Sequence, residues 1–228
     1  SMAYPENASR LGNIACDLAT MHSYAGGGLP SDQLETRWIP HTQPMCGNKP
    51  IVASESGWHN AMEDGGAPQR AVSEAASGKY VPRLFLEYFN RGIKRAFVYE
   101  LINLRQEVHQ DSNFGLLRND GSPKPSFTAL KNLISLLKDS SANFPLGGLD
   151  YSLNGDTANV HHTLLQKSDG KFYLIFWQEV PSFDTQQKSE IAVPARQMTL
   201  TLNTQIIAAN AYEPVHSLNP VWQAANPK

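Results

Sequence analysis

The chain has 228 residues, 41% of them hydrophobic, and a formal net charge of -2 at pH 7. That length supports one large domain or two modest ones, each with its own core. Lys and Arg are scattered, which argues against a nucleic-acid groove or an anionic membrane surface as partner, and no apolar run approaches the roughly 20 residues that span a bilayer.

Residues 1–13 are polar and without period, and the start carries no basic-then-apolar signal segment. Localisation is therefore left open, a secreted or periplasmic parent included. Residues 14–24, rich in small and apolar side chains, predict a buried strand with His22, Ser23 and Tyr24 gathered at its end. Gly26-Gly27-Gly28-Leu29-Pro30 is a loop, and Ser31 is the expected cap of a short helix carrying Leu34, Trp38 and Ile39. Residues 50–55 form the second expected strand, ending at Glu55 and turning at Ser56-Gly57-Trp58. A Gly- and Asp-rich loop leads to a helix over 73–90, with Tyr80, Leu84 and Tyr88 on one face and Val81, Phe85 and Phe89 beside them. Pro82 lies inside that pattern and predicts a start or restart near Val81. Residues 96–102 are the third strand, and residues 125–138 an amphipathic helix bearing Phe127, Leu130, Leu133, Ile134 and Leu137.

Apolar strands that alternate with helices are the pattern of parallel βαβ units. The composition changes near Phe144-Pro145-Leu146-Gly147-Gly148. Beyond it come short strand-like segments at 158–166, 171–178, 190–193, 198–202 and 206–212, with Ser168-Asp169-Gly170 as a hairpin turn. The expected fold is α/β: a βα domain over 1–145 and a small antiparallel β-sandwich over 146–228. A closed eightfold barrel takes about 250 residues, about 31 per βα unit. About three such units fit the pattern of the first domain, so a partial barrel is expected.

Cys16 falls in the expected first strand and Cys46 in a loop, which predicts reduced structural thiols. No Cys-x-x-Cys spacing supports a zinc site. His59, Glu63 and Asp64 match no ligand spacing, and His161 and His162 are neighbours in a strand and point to opposite faces. Asp150, Asn154 and Asp156 lack the rest of a calcium loop. The glycines at 26–28 are not followed by Gly-Lys-Ser/Thr, and no Gly-x-Ser-x-Gly elbow is present. No metal and no cofactor is expected.

Glu55 stands out. An acid at the carboxyl end of a buried parallel strand sits where α/β barrels place their chemistry, although an acid there also serves to cap the next helix. Glu100 ends the next strand in the same way. Adjacent strands lie about 4.8 Å apart, close to the roughly 5–5.5 Å that separates the carboxyls of retaining glycosidases, but acids on adjacent strands face one side of a substrate. A Tyr24 hydroxyl donating to Glu55 would favour the ionised form a nucleophile needs. Trp58 offers a flat apolar face of the kind sugar rings stack on.

Three stretches carry a resemblance. His22-Ser23-Tyr24 with the following Gly-rich loop, Val52-Ala53-Ser54-Glu55-Ser56-Gly57-Trp58, and Phe97-Val98-Tyr99-Glu100-Leu101-Ile102-Asn103 with Asn113 to Pro125 resemble the ends of barrel strands six, seven and eight in clan-A retaining glycoside hydrolases, the cellulase-like (β/α)8 barrels with an appended β-sandwich. The hairpin at 165–177 resembles the opening of such an accessory domain. The resemblance implies Glu55 as the nucleophile that attacks the anomeric carbon, Tyr24 as its hydrogen-bonding neighbour, and His22, Trp58, Tyr99 and Glu100 as the lining of the sugar subsite. The family's acid/base is a Glu on strand four, usually after Asn, and no Asn-Glu pair occurs here. What is expected is thus a half-site: a nucleophile without its proton donor, or a non-catalytic carbohydrate-binding or interaction protein. A partial barrel exposes strand edges, which predicts a homo-oligomer.

Overall fold

The computed structural model describes residues 14–141 and 143–225; the polar segment 1–13 lies outside the described residues. Strand β1 (Ala19–His22) is shorter than expected. Ile14 and Leu18 stay 41% and 46% exposed, while Ala19 and Met21 are fully buried. A composite helical stretch follows: a π-helical turn at Leu34–Trp38, then α1 (Ile39–Thr42) and a 3-10 turn at Gln43–Cys46. Its cap is Gln33, at φ 60°, rather than Ser31. Pro40 and Pro44 withhold backbone donors, so the helical ladder is broken into short turns.

Cys16 and Cys46 form a disulfide, their Cα atoms 5.6 Å apart. This corrects the expectation of reduced thiols. Cys16 precedes the strand instead of lying in it, and the Ile14 N–H donates to the Met45 carbonyl at 2.9 Å. That contact folds the approach to β1 against the 3-10 turn and brings the two cysteines into bridging range.

Strand β2 (Ile51–Glu55) pairs in parallel with β1. The register runs Ala19↔Ile51, Thr20↔Val52 and Met21↔Ala53, then slips, so that His22 stands opposite Glu55. Helix α2 (Glu74–Asn90) is capped by Ser73, whose side chain accepts from the Ala76 N–H. It runs unbroken through Pro82, contrary to the expected restart. The cap fixes the first turn, and Ala76, Ser77, Gly78, Tyr80 and Val81 are all buried, so tertiary packing holds the helix across the proline.

Strand β3 (Arg95–Ala96) pairs with β2 through Val52↔Arg95 and Ala53↔Ala96. The expected strand to Ile102 is there only as a run that changes partner. The Phe97 and Tyr99 N–H groups still donate to Ala53 and Ser56; from Glu100 onward the backbone bonds to Phe114, Leu116 and Leu117 instead. The Tyr99–Glu100 peptide, at the exchange, is cis. The sheet order is β1-β2-β3, and no closed barrel forms among the described residues. Helix α3 (Pro125–Leu137) follows.

The remaining strands are β4 (Tyr151–Gly155), β5 (Val160–Gln166), β6 (Phe172–Gln178), β7 (Phe183–Asp184), β8 (Ser189–Glu190), β9 (Met198–Leu202), β10 (Ala208–Tyr212) and β11 (Pro220–Ala225). They pair antiparallel as β4–β9, β5–β6, β7–β8 and β10–β11. Gly170, at φ 83°, closes the β5–β6 turn at the expected Ser168-Asp169-Gly170. Two compact units result. One holds the described residues up to Phe127 together with Pro181–Ile191; the other holds Thr128–Val180 and the residues from Ala192 onward. The β7–β8 hairpin thus belongs to the first unit, anchored by the Ser182 N–H donating to the Tyr80 hydroxyl at 2.9 Å and by buried Phe183. Of the expected strand at 190–193 only Glu190 is strand, in the return arm Ser189–Glu190 of this hairpin.

Candidate active site

The register slip between Met21 and His22 builds the site. It sets two side chains of β1's end against one carboxylate. The Tyr24 hydroxyl donates to Glu55 Oε2 at 2.9 Å, and His22 Nδ1 lies 3.2 Å from the same oxygen. Glu55 Oε1 makes no hydrogen bond among the described residues, and the Glu55 side chain is 38% exposed. One oxygen is therefore gripped and the other is open. Burial first, and then the bond to Glu55, push the Tyr24 phenol strongly up. It stays a protonated donor across the working range of pH.

The backbone after Glu55 is held from behind. The Ser56 hydroxyl donates to the Ser23 carbonyl at 2.7 Å, and the Ser23 and Tyr88 hydroxyls are bonded at 2.7 Å. Tyr88 comes from α2, where burial raises its phenol. Gly57 lets the Tyr99 carbonyl approach: a Cβ here would stand 2.5 Å from that oxygen.

The other expected residues are placed unequally. Trp58 is core, 4% exposed, tilted against Tyr80 at 5.5 Å, with its indole N–H donating to the Gly28 carbonyl at 2.9 Å. Its face meets protein rather than solvent. Tyr99 and Tyr24 both pack edge-on against Phe114, each with centroids 5.6 Å away. The charges of Glu55 and Glu100 both raise these phenols, with burial the larger cause in each. Among the described residues, the buried Glu100 Oε1 has no hydrogen-bond partner. Burial raises its pKa, opposed by Lys124 and reinforced by Asp111, so its carboxyl holds its proton longer than a free Glu. A cavity of about 360 Å³ opens beside Tyr24, lined also by Asp32, Gln33, Arg37 and Trp38.

Two residues stand out that sequence reading gave no role. Phe114 gathers Tyr24, Tyr99 and His59 around one ring. Lys124 is 1% exposed, and its amine reaches oxygens of Asn60, Asn103 and Asn113. His59 is likewise buried; its Nε2 lies 3.0 Å from the Gln69 carbonyl and burial lowers its pKa. Asp64, near it in sequence, accepts from the Gln110 N–H at 2.8 Å and serves as a loop brace.

No family model and no curated protein matches the chain. Solved structures similar to it include glycoside hydrolases. One is a glycoside hydrolase family 17 β-1,3-glucanosyltransferase from Rhizomucor miehei, at 23% identity and TM-score 0.40, covering 48% of this chain and 42% of that one. Another is a family 39 glycoside hydrolase from Bacteroides cellulosilyticus WH2, at 19% identity and TM-score 0.44, covering 70% and 33%. A GH2 β-galacturonidase from Eisenbergiella tayi stands at 15% identity and TM-score 0.43, covering 57% and 25%. The chain thus spans less than half the length of each of these proteins. No helix among the described residues is long and apolar enough to cross a membrane.

Proposed function

We propose that the Glu55 end of the parallel sheet is a half-site of a retaining β-glycosidase, with Glu55 as nucleophile and carbohydrate as ligand. The observation that carries this reading is the convergence of Tyr24 and His22 on Glu55 Oε2 while Oε1 stays open. A carboxylate held by one oxygen keeps the direction of the other, as attack on an anomeric carbon requires. Tyr24, His22, Tyr99 and Glu100 line the sugar position, with Trp58 supporting the loop from beneath. Glu100, on the neighbouring run of chain, belongs to the lining. The half-site lacks the strand-four acid/base that protonates the leaving group in the family it resembles.

Without that acid, only glycosides with activated aryl leaving groups react well, since they need little protonation. The test is a panel of aryl glycosides with the wild type and Glu55→Gln. Slow release that Glu55→Gln abolishes supports the half-site. Binding of sugar without release, or release that the change leaves intact, assigns the chain to the second class, a non-catalytic carbohydrate-binding or interaction protein.

The partial sheet also bears on assembly. Phe97, Leu101 and Ile102 are 52%, 61% and 41% exposed along the run that continues β3. We propose that a second copy of the chain covers these exposed apolar side chains. Light scattering after size exclusion tests it: a dimer or larger is expected, and a monomer at high micromolar concentration refutes it.

A further inference from the structure

Lys124 is a buried cation among neutral acceptors. Its Nζ lies 2.9 Å from Asn60 Oδ1, 2.9 Å from Asn103 Oδ1 and 3.2 Å from the Asn113 carbonyl. An ammonium has three N–H donors and a neutral amine two. The three oxygens therefore match the charged form. Burial opposes that form and lowers the Lys124 pKa to about 8.

The three acceptors lie on three separate segments. Asn60 is five residues beyond Glu55 in the loop that leaves β2, and its side-chain amide also fixes the Val72 carbonyl at 2.9 Å. Asn103 follows Glu100, and its Oδ1 accepts in addition from the Gly115 N–H at 2.9 Å. Asn113 precedes Phe114, and its carbonyl also accepts from the Asn60 N–H at 3.1 Å. The Asn103 amide donates to Asn113 Oδ1 at 3.2 Å, which closes the network. One nitrogen thus joins the loop after the nucleophile strand, the segment after Tyr99–Glu100, and the segment whose ring packs on Tyr24 and Tyr99.

We propose that Lys124 is a positioning residue for the Glu55 site: through Asn60, Asn103 and Asn113 its ammonium fixes Phe114 and Glu100 beside Tyr24. The inference rests on reading the Glu55 end of the sheet as the site, but its network stands whether or not Glu55 is a nucleophile. The charges that act on Lys124 are Glu74 from the first turn of α2, Arg118 from the turn before α3, and Glu100. Of these, Glu74 is already paired with Arg118. Glu100 is the remaining acid, and Lys124 opposes the rise that burial gives its carboxyl.

The experiment is a pH titration by NMR of the whole chain. Lys124 side-chain signals, the Glu100 carboxyl carbon and the backbone amides of Asn60, Asn103, Asn113, Phe114 and Gly115 are followed together. In the wild type, loss of the Lys124 proton at mildly alkaline pH is expected to move those five amides with one shared midpoint. In Lys124→Met, and in Lys124→Gln as the milder change, that transition vanishes and the Glu100 midpoint rises, because the positive charge that opposes burial there is gone. Lys124 titrating at an ordinary amine value, or amides that do not follow it, overturns the proposal on unmodified protein even if both variants fail to fold. A Glu100 midpoint unchanged in a folded variant also overturns it, since removing a positive charge that acts on that carboxyl must move it. Glu55→Gln separates the two readings. It abolishes any glycoside release and leaves the shared midpoint of the five amides in place.

Discussion

Reducing the Cys16–Cys46 bridge is expected to destabilise the first unit by about 3–4 kcal/mol. The cysteines are 30 residues apart in sequence. Closing a loop of that length removes roughly 12 cal/mol/K from the unfolded chain, or about 3.6 kcal/mol at 25 °C. That is a large fraction of the roughly 5–15 kcal/mol that holds a domain folded. The bridged loop contains all of β1, and with it His22 and Tyr24. The measurement is urea unfolding with and without a phosphine reductant, read through Trp38 and Trp58, each 4% exposed in the first unit. Trp177 and Trp222, the other two tryptophans, are replaced by Phe so that the second unit is silent. Cys16→Ala/Cys46→Ala is the control, because with two cysteines in the chain it leaves nothing to reduce. The unfolding midpoint of the wild type should fall to that of the double variant, and the double variant should ignore the reductant. A loss under about 1 kcal/mol, or an equal response in both proteins, refutes the ring-closure argument.

Tyr24→Phe removes the hydroxyl that grips Glu55 Oε2. A hydrogen bond to a charged group contributes about 1.5–3 kcal/mol, so kcat/KM on an activated aryl glycoside should drop about 10- to 100-fold with the melting temperature little changed. Trp58→Ala should instead act on stability, by about 3–5 kcal/mol in urea unfolding, because the ring is core; a folded protein of unchanged stability would show that the ring is not packed. Lys124 carries a pH signature. Its folded pKa of about 8 lies below the ordinary 10.5, so between these values the unfolded chain holds more protons and stability rises with pH. The cost is fully present below about pH 8 and relieved above about pH 10.5, a span of about 3 kcal/mol. Unfolding free energies measured from pH 7 to 10.5 should show this rise in the wild type relative to Lys124→Met; a constant difference between the two proteins contradicts it.

The pattern of residues was enough to place β2 and its end. Residues 51–53 are apolar and lead through Ser54 to the acid, and a short apolar run bounded by Lys-Pro and Ser-Gly has few other structures open to it. The amphipathic helices α2 and α3 were legible from their periodicity, as was the β5–β6 hairpin from its Asp-Gly turn. Local pattern also named Glu55, Tyr24 and His22 as neighbours at strand ends. It did not show that the chain slips by one residue after Met21, and that slip sets His22 opposite Glu55. Nor did it show Trp58 turned inward. An aromatic after a glycine reads alike whether it faces a sugar or Tyr80, and only the arrival of α2 decides.

The disulfide, the partner exchange after Tyr99 and the Lys124 network share one property. Each joins residues 10 to 64 positions apart. Periodicity and propensity act over one or two turns or a strand, so they carry no information at that range. Sequence alone determined β2, helices α2 and α3, the β5–β6 hairpin and which acid ends a buried strand, and left β4, β7 and β11 unread. The tertiary structure decided which oxygen of that acid is held and which cysteines meet. It also decided why a lysine is buried: burial is tolerable only where enough acceptors converge, and convergence is a property of packing.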